Sequence, residues 1–207
     1  IVYTSKAWAQ IQIPDVYIVS FSSDSNLLSQ WRAYGNSYNI GFHPNFLKEG
    51  LFFCGGLLRV RYEPDDQTSL IESLIQVTEE FVKTDVRHEP PHQYVSALLT
   101  SLFLVAPALK HAGFREEGEL RYVVHPDAIN AYSIGVDFRV RNNAIVPFAR
   151  LNLLSSDQSD PRNIFYSVTI GPGGEKALNF EAVRRLMKHK GLENVSIEES
   201  DIPFRIN

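Results

Sequence analysis

Lys110-His111-Ala112-Gly113-Phe114-Arg115-Glu116-Glu117-Gly118-Glu119-Leu120-Arg121-Tyr122-Val123-Val124 runs the densest mixture of charge in the chain straight into an apolar strand pattern. If the strand starts near Glu117, alternation with period two puts Glu117, Glu119 and Arg121 on one face and Leu120, Tyr122 and Val124 on the other. The apolar row needs a core. The charged row needs partners or solvent, which makes it a candidate polar site.

Outward from this strand the elements alternate without a regular rhythm. Upstream, Val16–Phe21 is β-branched and aromatic, Ser22-Ser23-Asp24-Ser25 offers capping side chains, and Leu27–Tyr34 reads as a short helix ended by Gly35-Asn36. Tyr38–Phe42 and Leu51–Tyr62 read as strands separated by a turn at His43-Pro44, with a bulge expected at Gly55-Gly56. Pro64-Asp65-Asp66 opens a helix to about Val86, with Leu70, Leu74, Val77 and Phe81 at helical spacing. Pro90-Pro91 separates it from a more apolar helix that breaks between Pro107 and Gly113.

Downstream, Ile134–Val140 and Ala144–Leu151 flank Arg141-Asn142-Asn143, whose asparagines tolerate the positive φ of a hairpin turn. A polar loop over residues 153–162 follows, then a strand Ile164–Ile170, a Gly171-Pro172-Gly173-Gly174 turn and an amphipathic helix Asn179–His189 stopped by Gly191. Val195–Glu198 alternates like a last strand, and Asp201-Ile202-Pro203-Phe204-Arg205 is expected to dock at a sheet edge. The class is therefore α+β, with a mixed, mainly antiparallel sheet and about three packed helices in a single domain over residues 1–207. A doubly wound fold is disfavoured.

Composition narrows the function. Hydrophobic residues make up 44% and charged residues 21% of 207, ordinary for a globular chain that buries its own core. A net charge of -4 gives no broad positive field for a phosphate backbone. Cys54 is the single cysteine, so neither an internal disulfide nor a multi-thiolate zinc site can form, and a reducing cytoplasm is expected. Within an apolar stretch its thiol reads as buried and inert. The run Tyr94–Leu109 is interrupted and short of the roughly 20 residues that span a bilayer. The start Ile1-Val2-Tyr3-Thr4 has no initiator methionine and no signal pattern, so sequence before Ile1 is expected. His88 and His92 flank Glu89-Pro90-Pro91, where proline prevents a regular helix; no metal is assigned.

Several of these segments together resemble an uncharacterised bacterial family, DUF2971. The resemblance rests on Ser20-Phe21-Ser22 with Asp24, Trp31, Tyr34 and Ile40-Gly41-Phe42, and then on Lys110-His111 with Phe114, Glu116, Glu117, Glu119 and Arg121. Ile170-Gly171-Pro172 and Ser200-Asp201-Ile202-Pro203-Phe204-Arg205 extend it towards the C-terminus. The family pattern includes an Asn-Asp-Pro turn before the Ser-Phe-Ser segment, which this chain lacks, so either truncation or divergence of the N-terminal region is expected. The resemblance implies a setting of bacterial and phage defence or stress, and no fixed reaction.

Two functional readings stand side by side. Ser20-Phe21-Ser22 and Glu117-Gly118-Glu119 are similar to the serine and paired-glutamate motifs of ADP-ribosyltransferases, which implies NAD as a substrate and a protein or nucleic-acid acceptor. Cleaving the nicotinamide-ribose bond develops an oxocarbenium-like ribose that an ionised carboxylate stabilises. Glu119 is the candidate carboxylate, Glu117 the group that orients the acceptor or takes its proton, and Ser22 a holder of ribose or carboxylate. Trp31 and Tyr34 offer flat surfaces to a ring; Arg32 and Arg121 offer forks to a diphosphate. The competing reading is a non-catalytic interaction module. In it the acidic strand and the Trp31 helix form a partner surface within a bacterial defence or stress system. A purely structural reading stands beside both: Glu117, Glu119 and Arg121 form a solvated or salt-bridged strand face worth only about 0 to 1 kcal/mol per exposed pair, Ser22 and Asp24 cap a helix, and Trp31 and Tyr34 pack the core.

Overall fold

The computed structural model describes residues 15–34, 38–47, 55–86, 89–124, 129, 134–141, 143–151 and 164–203. Strand β1 (Tyr17–Ser22) leads into helix α1 (Leu28–Tyr34), followed by β2 (Tyr38–Phe42) and β3 (Gly55–Arg59). Helices α2 (Pro64–Thr84) and α3 (Pro91–Val105) precede β4 (Glu119–Val124), the hairpin β5 (Val136–Arg141) and β6 (Ala144–Ala149), and then β7 (Phe165–Ile170), α4 (Lys176–His189) and β8 (Ser196–Glu199). The class is α+β, as the irregular alternation predicts.

The expected sheet is divided among three. One has the order β1-β4-β3 and is antiparallel throughout; a second has the order β2-β7-β8, with β7 and β8 parallel; the third is the β5-β6 hairpin. The parallel pair follows from chemistry: α4 crosses over between β7 and β8 and covers one face of both. Val168 and Ile170 from β7 meet Val183 on α4 and Leu192 and Val195 beyond it. Ile170 is fully buried, worth roughly 1.5 to 3 kcal/mol for such a side chain. A second cluster centres on Tyr122 and Val124 of β4 with Leu47, and Tyr17, Phe21, Phe42 and Leu57 pack against it.

The helical pair joins through an edge contact between the Phe81 and Tyr94 rings and a hydrogen bond from the Tyr94 hydroxyl to Asp85. Neither α2 nor α3 has a buried residue. Asn143 takes φ 61 at the hairpin turn, and Gly191 takes φ 70 after α4, both as the sequence predicts. No bulge forms at Gly55-Gly56, whose pairing with Val124 and Val123 is regular; the irregularity lies at Gly41/Phe42 instead. No helix among the described residues is long and apolar enough to cross a membrane. Cys54, His88 and Gly35-Asn36, with the residue 153–162 loop and the Phe204-Arg205 end of the docking segment, lie outside the described residues.

Candidate functional site

The charged stretch folds by turning before it pairs. Residues Ala112–Glu117 form a 3-10 turn, Gly118 closes it in the left-handed conformation at φ 50, and only then does β4 begin. Glu117 therefore stands one turn ahead of the strand and not on its face, a correction to the alternation that set it beside Glu119. A Cβ at Gly118 would collide with the Ser23 hydroxyl, and the Gly118 carbonyl accepts from Ser23 N–H at 3.2 Å. Gly118→Ala is expected to lower unfolding stability by about 1 to 2 kcal/mol, read by urea denaturation. An unchanged midpoint would show that the turn has another low-energy form.

Sheet register brings the predicted pair together. Ser22 lies opposite Glu119, and Ser20 opposite Arg121, across β1 and β4. Arg121 grips Glu119 with two bonds, Nε to Oε1 and Nη2 to Oε2, both at 2.9 Å, while its Nη1 donates to the Pro107 carbonyl at 2.6 Å. Lys110 reaches the cluster because residues Ala108 to Lys110 run alongside Arg61 at the end of β3. Its Nζ donates to Glu117 Oε2 at 2.7 Å and to Glu119 Oε2 at 2.9 Å. The backbone joins in: Glu119 N–H donates to the Tyr62 hydroxyl, and Ser22 Oγ donates to the Glu117 carbonyl at 2.8 Å.

Glu119 is only 6% exposed. Burial pushes its pKa up, but hydrogen bonds from Arg121, Ser20 and Lys110 outweigh that and hold it at about 2. Burial likewise works to lower the pKa of Lys110, and its bonds to Glu117 and Glu119 carry it above the ordinary value. Two cations and two carboxylates thus neutralise one another within the fold. Both Glu119 oxygens are taken, so this carboxylate is ionised but already committed.

On the other face of the same sheet lies a cleft of about 1110 Å³, opening between the β1-β4-β3 and β2-β7-β8 sheets. Alternation sorts the residues: Val19, Phe21, Leu57, Arg59 and Leu120 line the cleft, and the intervening Glu119 and Arg121 do not. Ser20 and Ser22 border it as residues of the edge strand, with Ser22 Oγ turned to Glu117. Trp31 and Tyr34 both line it. Trp31 is 6% exposed, as a core aromatic should be, but Tyr34 is 55% exposed and forms an open rim. Arg32 sits apart, in a shallow hollow with Leu28, Ser29 and Glu116. The seven candidate residues thus divide: Glu117, Glu119 and Arg121 form an ion cluster behind the sheet, Trp31 and Tyr34 face the cleft, Ser22 lies between, and Arg32 is elsewhere.

The residue the sequence reading passes over is Asn26. Its Oδ1 accepts from Trp31 Nε1 at 3.1 Å and from Ser200 Oγ at 2.6 Å, and its Nδ2 donates to Asp201 at 2.7 Å. Asp24 Oδ1 in turn accepts from Asn26 N–H at 2.8 Å, and Ser22 Oγ from Asp24 N–H, so Ser22 and Asp24 do serve the turn into α1. One amide ties the cleft's Trp31 wall to the segment after β8.

A family model described as a protein of unknown function, DUF2971, matches residues 30–122, a little under half of the chain. The match takes in Trp31, the helical pair and the whole ion cluster. Searches among curated proteins and among solved structures return no match.

Proposed function

We propose, for a chain whose residues 30–122 match the DUF2971 family model, that it is a binding module for a small ligand with a flat ring, held in the cleft between the two sheets. One observation carries this reading: the cleft is concave and aromatic, walled by Phe21, Trp31 and Tyr34 with Phe42 and Phe46, and large enough for a drug-sized or dinucleotide-sized molecule. Aromatic walls favour planar ligands through offset and edge contacts worth about 0.5 to 1.5 kcal/mol per pair beyond buried area. The ion cluster serves the fold in this reading, since it fixes the turn before β4 to β1.

The test follows Trp31 fluorescence on titrating the full chain with adenine, with Trp31→Phe to assign the signal. Saturable quenching that disappears with Trp31→Phe is expected. Absence of any saturable change, by fluorescence and by ligand-observed NMR, would remove the reading.

Transfer of ADP-ribose from NAD is the second reading, supported by Ser22 standing opposite an ionised Glu119 in the sheet register. Against it, Glu119 has its oxygens on Arg121 and Lys110 and lies behind the cleft wall. Incubation of the chain with NAD and cellular protein is expected to release no nicotinamide above the rate of a Glu119→Gln variant. Release that needs the Glu119 carboxylate would restore the transferase reading.

A further inference from the structure

We infer that the cleft's ligand is a nucleoside phosphate: a base on the aromatic wall, a ribose on a polar floor, and a phosphate at Arg59. This deepens the proposed ring-binding function and rests on it.

The two walls differ in chemistry. The β1-β4-β3 sheet presents Val19, Phe21, Leu57 and Leu120 to the cleft, all apolar. The facing sheet is mixed: Tyr38, Ile40, Phe42 and Tyr166 line the cleft as well, and a polar row runs between them. Its register aligns Asn39 with Thr169 and Gly41 with Ser167 across β2 and β7, and Thr169 with Glu198 across β7 and β8. Asn39, Gly41, Ser167 and Glu198 all line the cleft, while Val168 and Ile170 turn away to α4. A sheet face of Asn, Gly, Ser, Thr and Glu is a poor core and a good surface for hydroxyl groups. Thr169 in this row is 3% exposed, and its Oγ1 has no hydrogen-bond partner among the described residues. A buried hydroxyl so left costs about 1 to 3 kcal/mol, although Thr169 itself is not one of the residues that line the cleft.

The charges fit the same ligand. Arg59 is exposed in the cleft wall, on the row of Phe21 and Leu120, and makes no ion pair or hydrogen bond through its side chain among the described residues. A guanidinium fork left open in a cleft wall matches phosphate. Glu198, on the opposite wall, has among the described residues only a 3.5 Å approach from Ser196 Oγ. Its two oxygens can accept from the vicinal hydroxyls of a ribose, the pairing that carboxylates make in other nucleotide sites. An aromatic carboxylate would use Arg59 but leave Glu198 and the hydroxyl floor unmatched.

Three probes separate the parts: adenine, adenosine and AMP, each titrated into the intact chain by calorimetry. Adenosine is expected to bind more tightly than adenine, and AMP about 10-fold or more tighter than adenosine, from charge-assisted bonds to Arg59. Arg59→Gln should abolish the AMP advantage while leaving adenosine unchanged; Glu198→Gln should reduce the adenosine advantage over adenine. Both positions are exposed, and a thermal melt matching the parent's establishes that the variants fold. Equal affinity for AMP and adenosine, or an AMP preference that survives Arg59→Gln, overturns the inference while adenine binding still supports the broader reading. Failure of all three probes to bind overturns both.

Discussion

Arg121→Met is expected to lower the unfolding free energy by about 3 kcal/mol, which for a chain of this size shifts the melting midpoint down by roughly 6 to 12 °C. Methionine keeps most of the side chain's volume, so the loss is one of charge and hydrogen bonds. Glu119 would stay 6% exposed with Lys110 as its one remaining cation, and the Pro107 carbonyl would lose its Nη1 donor. Removing both charges, as Glu119→Leu with Arg121→Met, should recover a large part of the loss, because no uncompensated carboxylate remains buried. The same cluster sets an acid limit. Glu119 is depressed to about 2 from an ordinary 4.5, so its contribution is present in full above about pH 4.5 and fades as pH falls towards 2. After allowance for solvent screening at the edge of the cluster, that contribution is about 2 kcal/mol. Urea denaturation at pH 7 and pH 3 reads it, and Arg121→Met should flatten the dependence. A variant within 0.5 kcal/mol of the parent at both pH values would mean the cluster is surface decoration.

The salt-bridged strand face expected from sequence is present, but it is covered and not exposed, for a definite reason. Charge spacing says which residues share a strand face, and it correctly set Glu119 and Arg121 together. It says nothing of what covers that face. The cover comes from Pro107 and Lys110, brought alongside Arg61 by a single parallel bridge. Such a contact between positions far apart in sequence has no periodic signature. Glu117 went astray more simply: Gly118 in the left-handed region ends one local structure and starts another, so alternation cannot be carried back through it.

Local chemistry was otherwise legible. Pro64 with two aspartates marked α2, asparagines marked the hairpin, and β-branched runs marked β1 and β7. The division of one expected sheet into three was not legible, because strand patterns carry no information on which edges pair. Yet that division makes the cleft. A transferase needs its ring platform and its carboxylate in one hollow; alternation about Leu120 instead turns Phe21, Leu57 and Arg59 to the cleft and Glu119 and Arg121 to the back. A two-residue motif cannot report which face of a sheet is concave.

Asn26→Ala is expected to cost about 3 kcal/mol and to weaken ring binding in the cleft as well. The substitution removes one amide and strands several groups. Trp31 is 6% exposed and would lose the acceptor of its indole N–H, while the buried Ser200 hydroxyl would lose its 2.6 Å acceptor. Each unsatisfied buried donor costs roughly 1 to 3 kcal/mol, far more than the net gain from making an exposed bond. The control is Asp201→Ala, which removes only the exposed Asn26 to Asp201 link and should cost under about 1 kcal/mol. The stability difference between the two variants thus isolates the buried part of the network. Asn26 holds the Trp31 indole in the cleft wall, so under the proposed function Asn26→Ala should weaken adenine binding where Asp201→Ala does not. Denaturation curves and adenine titrations on both variants check the two effects. Equal stability losses in the two variants would show that Trp31 and Ser200 find other partners, and Asn26 would then be one bond among many and not the tie between the cleft wall and the end of the second sheet.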